Sequence, residues 1–364
     1  MRGIVLSLCF CFSLVSFNGM PYSDACIAAE VLVREAPEHG QAVHAKSDSA
    51  GATHLIYKVG VELRYAKSKD SCESFSAPLK IVDDAKFPKG LEFTCWDMAV
   101  DVDGRVHVAL GTNAWKLKRP QSEWGFYYTT LEPGQTDFAP ARNINGRPSE
   151  GYSLAVHPDG RVTACWLADK LYANVSLDHG RTFGDTIEID ATLNPCNCCT
   201  TTCTYGRDGR LAILYREETN NERDMYLLLV DQKDNGVSKH KLSSAPWKID
   251  TCPMTYYAIS PTATGYVAAW PTKNKVYAAS INAQGTRSPA GEILTLGKVG
   301  NRHDLRIFQD SQGQTVVLWK FEDQLGWQQF GRKWESTGLP GSAPSRGPCI
   351  AAVMTADDRV IAFR

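Results

Sequence analysis

The chain has 364 residues, 43% hydrophobic and 22% charged, with a formal net charge of −1. That length suits one large repeat-built domain or two ordinary ones. Near-neutral charge without a basic patch or acidic tail excludes the electrostatic footprint of a nucleic-acid binder.

The chain opens with Arg2 and, one glycine later, the apolar run IVLSLCFCFSLVSF. Such a run is too short to span a bilayer and suits the core of a secretory signal, here residues 1–20. Cys26 follows the mostly polar Ser23, Asp24 and Ala25, unlike a lipoprotein cleavage site. Residues 27–364 are therefore expected as one mature domain, secreted or periplasmic, with no membrane span. Of the twelve cysteines, Cys9 and Cys11 fall in the signal. In an exported chain the other ten read first as disulfides.

Along the mature chain one unit recurs: an apolar stretch, a polar turn usually with Asp and Gly, then an alternating β run. The copies are AKSDSAGATHLIYK (45–58), AVDVDGRVHVAL (99–110), AVHPDGRVTACW (155–166) and TYGRDGRLAILY (204–215), then AISPTATGYVAAW (258–270), IFQDSQGQTVVLW (307–319) and AVMTADDRVIAF (352–363). Each reads as a hairpin, and seven copies at this spacing mark a propeller or solenoid. Six further strands lie between them, at 61–68, 124–131, 170–177, 224–231, 275–282 and 325–332. The prediction is an all-β propeller of four-stranded blades, seven favoured over six. The strand AEVLVRE (29–35) supplies the outer partner of the C-terminal hairpin and closes the ring. Trp166, Trp270 and Trp319 end their hairpins and read as core rungs between blades.

One turn between outer strands stands out. SLDHGRTF (176–183) places Ser176, Asp178, Gly180, Thr182 and Phe183 as a self-bonded turn with an aromatic anchor. SKDSCESF (68–75) keeps Ser68, Asp70, Ser74 and Phe75 but lacks the glycine, and LEPGQTDF (131–138) keeps less. This motif resembles the Asp-box, or BNR, repeat of the sialidase superfamily. The stretches PCNCCTTTCTYGRDGRLAILYRE, ERDMYLLLVD and WKIDTCPM resemble an exported bacterial subgroup with a CPCC-like cluster. The resemblance describes a fold family before an activity. It implies a propeller handling an extracellular glycan or another anionic ligand at one mouth of its channel, and hydrolysis of sialoside type if it is an enzyme.

Residues just before each inner strand are where such a mouth would be lined. Arg147, Arg302 and Arg346 share one register, with Glu150, Asp97 and Asp304 beside them and Tyr152, Tyr256 and Tyr257 following. The resemblance implies that three arginines clamp a sugar carboxylate, while a tyrosine nucleophile, a glutamate and an aspartic acid/base act on it. The Arg-Ile-Pro segment of sialidases is absent, and arginines in this register also serve as inter-blade ion pairs. Arg216, Glu217 and Tyr256 are expected as ligand-binding side chains, or the first two as part of a charged hairpin turn. Cys95, Cys196, Cys198, Cys199, Cys203, Cys252 and Cys349 gather at equivalent strand starts. They read as disulfides, or as a thiolate site for zinc or copper with His303 or His157 added; no cofactor is required. Adjacent Cys198 and Cys199 would bond separate partners such as Cys252 and Cys165, and Cys26 and Cys72 could form another bridge. The alternatives to the glycan reading are a non-catalytic, disulfide-stapled binding propeller and a cysteine metal site.

Overall fold

The computed structural model describes residues 30–231, 236–244, 246–288, 293–298 (backbone only) and 304–364. The signal segment, Cys26, Arg302 and His303 lie outside them. The described residues form seven sheets, six of four strands and one of three, with three short 3-10 turns as the other regular elements. Each predicted hairpin forms the first two strands of a blade, and each intervening strand forms the third. The protein is a seven-bladed β-propeller.

The second strand of each blade explains the long apolar runs. Val162–Leu167 (VTACWL) is buried at every position, as is Thr315–Lys320 within TVVLWKF. A strand packed between blades on both faces has no solvent side, so it reads as a continuous run instead of an alternation. Core clusters accordingly bridge successive blades: Cys165, Leu167 and Leu171 of the third pack with Tyr205, Ile213 and Leu228 of the fourth. Trp166 and Trp270 are at most 1% exposed, stacked on Tyr172 and Tyr277.

Hairpin turns recur by one device. Asp48, Asp101 and Asp310 each accept from the backbone N–H groups two and four residues on, at 2.7–3.0 Å. The turn from Leu171–Ser176 to Ile187–Glu188 is held similarly. Ser176 Oγ donates to Asp178 Oδ1 (2.7 Å) and accepts from Gly180 N (2.8 Å), and Thr182 donates to both carboxylate oxygens (2.8 and 2.6 Å). The turn at 68–75 makes the same set through Ser68, Asp70, Cys72 N and Ser74, with Cys72 at φ 66 where Gly180 has φ 80. Phe183 and Phe75 seat edge-on against Tyr128 and Phe363 of neighbouring blades. Asn174, whose Asn-Val-Ser run (174–176) matches a glycosylation sequon, is 2% exposed and bonds Thr186 and Trp166 through its side chain, so it is no surface acceptor.

Ring closure follows the sequence expectation. Val31–Arg34 pairs in parallel with Val360–Phe363, in register from Val31↔Val360 to Arg34↔Phe363, and completes a last blade of three strands.

Candidate functional site

The inner strands enclose a channel cavity of about 470 Å³. Its walls come from six inner strands, Gln41–Ser47, Phe93–Val100, Glu150–Val156, Thr202–Tyr205, Ala258–Pro261 and Leu305–Gln309, and from the seventh blade's Ala351–Met354. At the end where the strands begin, Trp96 stacks on Tyr256 with ring centroids 6.4 Å apart and planes 30° off parallel. The two residues belong to the second and fifth blades, on opposite sides of the ring, so the pair spans the mouth. Tyr152 supports Trp96 edge-on at 5.4 Å, its hydroxyl donating to Ser149 O. The strand bulges between Cys95 and Asp97, which turns Trp96 toward the axis. Gly111 leaves room for the indole, since a Cβ there would overlap it.

Five acidic or basic residues line this space among the described residues: Lys46, Asp97, Asp304, Arg306 and His44. Asp97 and Asp304 share one bonding pattern. Asp97 accepts from its own strand at Met98 N (2.8 Å) and from the next blade at Leu154 N (2.9 Å). Asp304 likewise accepts from Leu305 N (2.9 Å) and from Ile350 N of the last blade (3.2 Å), and pairs with Arg306. Both carboxylates therefore latch neighbouring blades. Burial raises the Asp97 pKa against the opposing influence of Lys46. Burial, then the nearby Arg306 charge, keeps His44 neutral, with Arg306 Nη2 3.1 Å from its Nδ1. Lys46 is exposed to the channel and has no hydrogen-bond or ion-pair partner among the described residues.

The other arginines sit elsewhere. Arg147 is 43% exposed, lies over the Trp166 and Tyr172 rings and pairs with Asp169 at 3.0 Å. Arg346 donates to His39 O at 3.1 Å. Neither they nor Glu150 line the cavity. Arg216 is 1% exposed and spends its donors on Thr255 Oγ1, Arg223 O and Pro271 O, with Trp247 and Tyr257 against its face. Glu217 bonds the Tyr215 hydroxyl and Lys239 on the outer part of the fourth blade. Of the residues singled out from sequence, the structure brings Asp97, Asp304, Tyr152, Tyr256 and Tyr257 to the channel, together with Cys95, Cys203 and Cys349. Trp96, Lys46 and Arg306 were not singled out as site residues. Trp96 was visible as the aromatic between Cys95 and Asp97, at the start of an inner strand.

The cysteines divide into groups. Cys198 and Cys252 form a disulfide joining the fourth and fifth blades, while Cys72, Cys95, Cys165, Cys196, Cys199, Cys203 and Cys349 are free thiols. Cys165 thus pairs with neither Cys198 nor Cys199; it lies against Cys203, whose contact together with burial pushes its thiol pKa up. Burial pushes the Cys349 thiol up to about 12. Around the disulfide, Cys196 Sγ lies 3.8 Å from both Cys198 Sγ and Cys252 Sγ and 3.5 Å from Cys199 Sγ. Arg223 Nη1 donates to Cys196 Sγ at 2.9 Å. The Cys196 thiol, helped by the Arg216 charge, draws the Cys199 pKa down, while Cys196 is correspondingly raised. Cys196, Cys198 and Cys252 place their sulfurs within 4.8 Å of one another, so zinc or copper ligation by the three would require this disulfide to be reduced. His157, engaged with Asp159, stands apart from the cluster.

No family profile and no curated protein matches the chain. Solved propellers do. A Lactobacillus plantarum protein shares 14% identity at TM-score 0.55, over 85% of this chain and 86% of its own. A Penicillium chrysogenum α-L-arabinanase complexed with arabinobiose shares 12% at TM-score 0.52, over 80% and 93%. AofleA of Arthrobotrys oligospora, solved as a mutant with arginines replaced by alanine, shares 11% at TM-score 0.50, over 86% and 91%. At these identities the likeness defines the class of protein, a β-propeller, and nothing narrower.

Proposed function

We propose that this is an exported propeller of the Asp-box, sialidase-like type that binds an acidic extracellular glycan at the Trp96–Tyr256 end of its channel. The observation that carries the reading is the pairing of these rings across the mouth, with Lys46, an ammonium left without a side-chain partner among the described residues, farther along the same cavity toward the hairpin-turn end of its strand. Aromatic faces take the C–H side of a sugar ring, and a free cation in a walled cavity takes its carboxylate. The cavity volume falls among those of small-ligand pockets. Two turns that share one set of Ser–Asp bonds support the Asp-box part, and the arabinanase solved with arabinobiose is a propeller that holds a sugar.

The test is indole fluorescence and calorimetry of the mature protein against matched acidic and neutral oligosaccharides. Saturable binding of the acidic member, weakened in Lys46→Met, is the expected result. Equal indifference to both at millimolar concentration overturns the reading. Release of the terminal sugar in the same tubes would make the protein a glycoside hydrolase.

A further inference from the structure

We propose that Cys196 and Cys199, with the Cys198–Cys252 disulfide, form a thiol–disulfide relay that passes two electrons between a buried dithiol and an external disulfide.

The chemistry follows from position. The run Cys196-Asn-Cys-Cys and the single Cys252 put four sulfurs at the junction of the fourth and fifth blades. Cys198 and Cys252 are half-buried and reachable from solvent, while Cys196 and Cys199 are 1% and 2% exposed. A disulfide that only stapled two blades would need no dithiol behind it. Here the dithiol touches the disulfide, and two guanidinium groups accompany it. Arg223 donates to Cys196, and the charge of Arg216 acts on Cys199. Arg216 is wholly buried and bonds only hydroxyl and carbonyl oxygens, with no carboxylate partner among the described residues. A buried cation needs a counter-charge, and a cysteine thiolate here supplies it. Among the described residues, the other thiol pairs, Cys165 with Cys203 and Cys95 with Cys349, lie against no disulfide.

The relay balances as follows. Cys196 passes its proton to Cys199 and attacks Cys198 Sγ; the Cys196–Cys198 bond forms and Cys252 leaves as a thiolate, taking the proton back. Cys199, again a thiolate, then attacks Cys196 Sγ, and Cys198 leaves as a thiolate that takes a proton from solvent. The buried pair is now the disulfide and the outer pair the dithiol. An external disulfide re-oxidises Cys198 and Cys252 by two exchanges and departs as two thiols. Cys196 stands equally far from both outer sulfurs, broadside to their bond, so a χ1 rotation of Cys198 or Cys252 must first turn that bond end-on.

The experiment equilibrates the purified, metal-free mature protein in glutathione buffers of graded potential, quenches it in acid, alkylates free thiols and maps the disulfides by mass spectrometry. Zinc and copper content is read on a separate sample purified without chelator. Expected are two interconverting species, Cys198–Cys252 and Cys196–Cys199, with glutathione trapped on Cys198 or Cys252. In Cys196→Ser, Cys199 should stay a thiol at every potential while the outer pair still exchanges with glutathione, because the thiol that links the two pairs is gone. The wild-type titration stands by itself should the variant fail to fold. Cys196 and Cys199 remaining thiols at every potential would overturn the relay and leave a structural disulfide. One equivalent of zinc or copper, lost in Cys196→Ser, would overturn it in favour of a metal site.

Discussion

Trp96 and Tyr256 meet across the channel from blades on opposite sides of the ring, 6.4 Å apart and nearly stacked. Contacts within a propeller ordinarily run between neighbouring blades, so this pair ties the mouth together through its own rings. A ligand seated there must lie on the pair or part it. Replacing Trp96 by Ala should weaken an acidic glycan by about 1–2 kcal/mol, roughly five- to thirtyfold in Kd. Calorimetry beside unchanged thermal unfolding would separate this from a folding defect.

Arg147 and Arg346 discriminate between ways of holding the ligand's carboxylate. Arg147 lies on Trp166 and Tyr172, and Arg346 is bound to the His39 carbonyl. With the carboxylate at Lys46, alanine at either arginine should leave Kd within about twofold, whereas Lys46→Met should cost about 1–3 kcal/mol, as for a charged hydrogen bond. Calorimetry of all three variants with one acidic oligosaccharide decides this. A large effect of Arg147→Ala would instead place the clamp where the sialidase resemblance implied it.

The repeat, the blade count and the closing strand could all be read from the sequence, because each rests on local patterning. Turn chemistry recurs from hairpin to hairpin, as at Asp48, Asp101 and Asp310, and Val31, Val33, Val360 and Ala362 have the side chains of a paired edge. The site was less legible. Asp97 and Asp304 were visible as a shared register, yet their bonds to Leu154 N and Ile350 N are long-range and leave no local signature. Arg216 and Glu217 are adjacent in a charged stretch, but alternation along the strand sends one between blades and the other to Lys239. The relation of Cys196 to Cys252 depends on how two blades abut, which no spacing within one blade determines.

The Ser–Asp turn predicts acid behaviour. Hydrogen bonds from Thr182 lower the Asp178 pKa to about 2, and those from Ser74 do the same for Asp70. A lowered folded-state pKa means that the unfolded chain binds more protons, so this stability is complete above about pH 4 and is lost as pH falls toward 2. Asp178→Asn should cost about 1 kcal/mol near neutrality, like the loss of a side-chain cap, and its deficit should vanish by pH 2. Gly180→Ala should cost more, about 2–3 kcal/mol, because φ is 80 and the added methyl would overlap the Tyr128 hydroxyl. Urea unfolding of both variants across pH 2–7 gives the comparison.

Asp97 titrates with the opposite sign. Burial raises its pKa in the folded protein, so the folded state binds more protons than the unfolded one in the window between the two values. The protonated form contributes stability below the unfolded value, and that contribution falls as pH climbs through the folded one. Asp97→Asn keeps one acceptor for Met98 N or Leu154 N but carries no charge, so it should remove this slope while costing about 1–2 kcal/mol for the amide left unpaired. The difference in stability between wild type and Asp97→Asn, measured from pH 4 to pH 8, should shrink as pH rises. A difference independent of pH would mean that Asp97 is not held above its ordinary range.

Closure of the ring rests on one short parallel pairing. Residues 31–34 are each half-buried and meet Val360–Phe363 over four register positions, flanked by Val360 N donating to Glu30 O and Arg364 N donating to Arg34 O, both at 2.9 Å. The Arg364–Glu35 pair closes the end at 2.7 Å. At about 1 kcal/mol net for each backbone hydrogen bond, removing residues up to 35 should destabilise the protein by about 4 kcal/mol and expose the edge of Val360–Phe363. The truncated protein should unfold earlier in calorimetry, and self-association through the open edge should appear in sedimentation. A synthetic peptide with the sequence of residues 29–35, added in excess, should refill the edge by strand addition and raise the melting temperature in proportion to the logarithm of its concentration. A truncated protein that melts with the full chain and ignores the peptide would mean that the six four-stranded blades hold the ring without it.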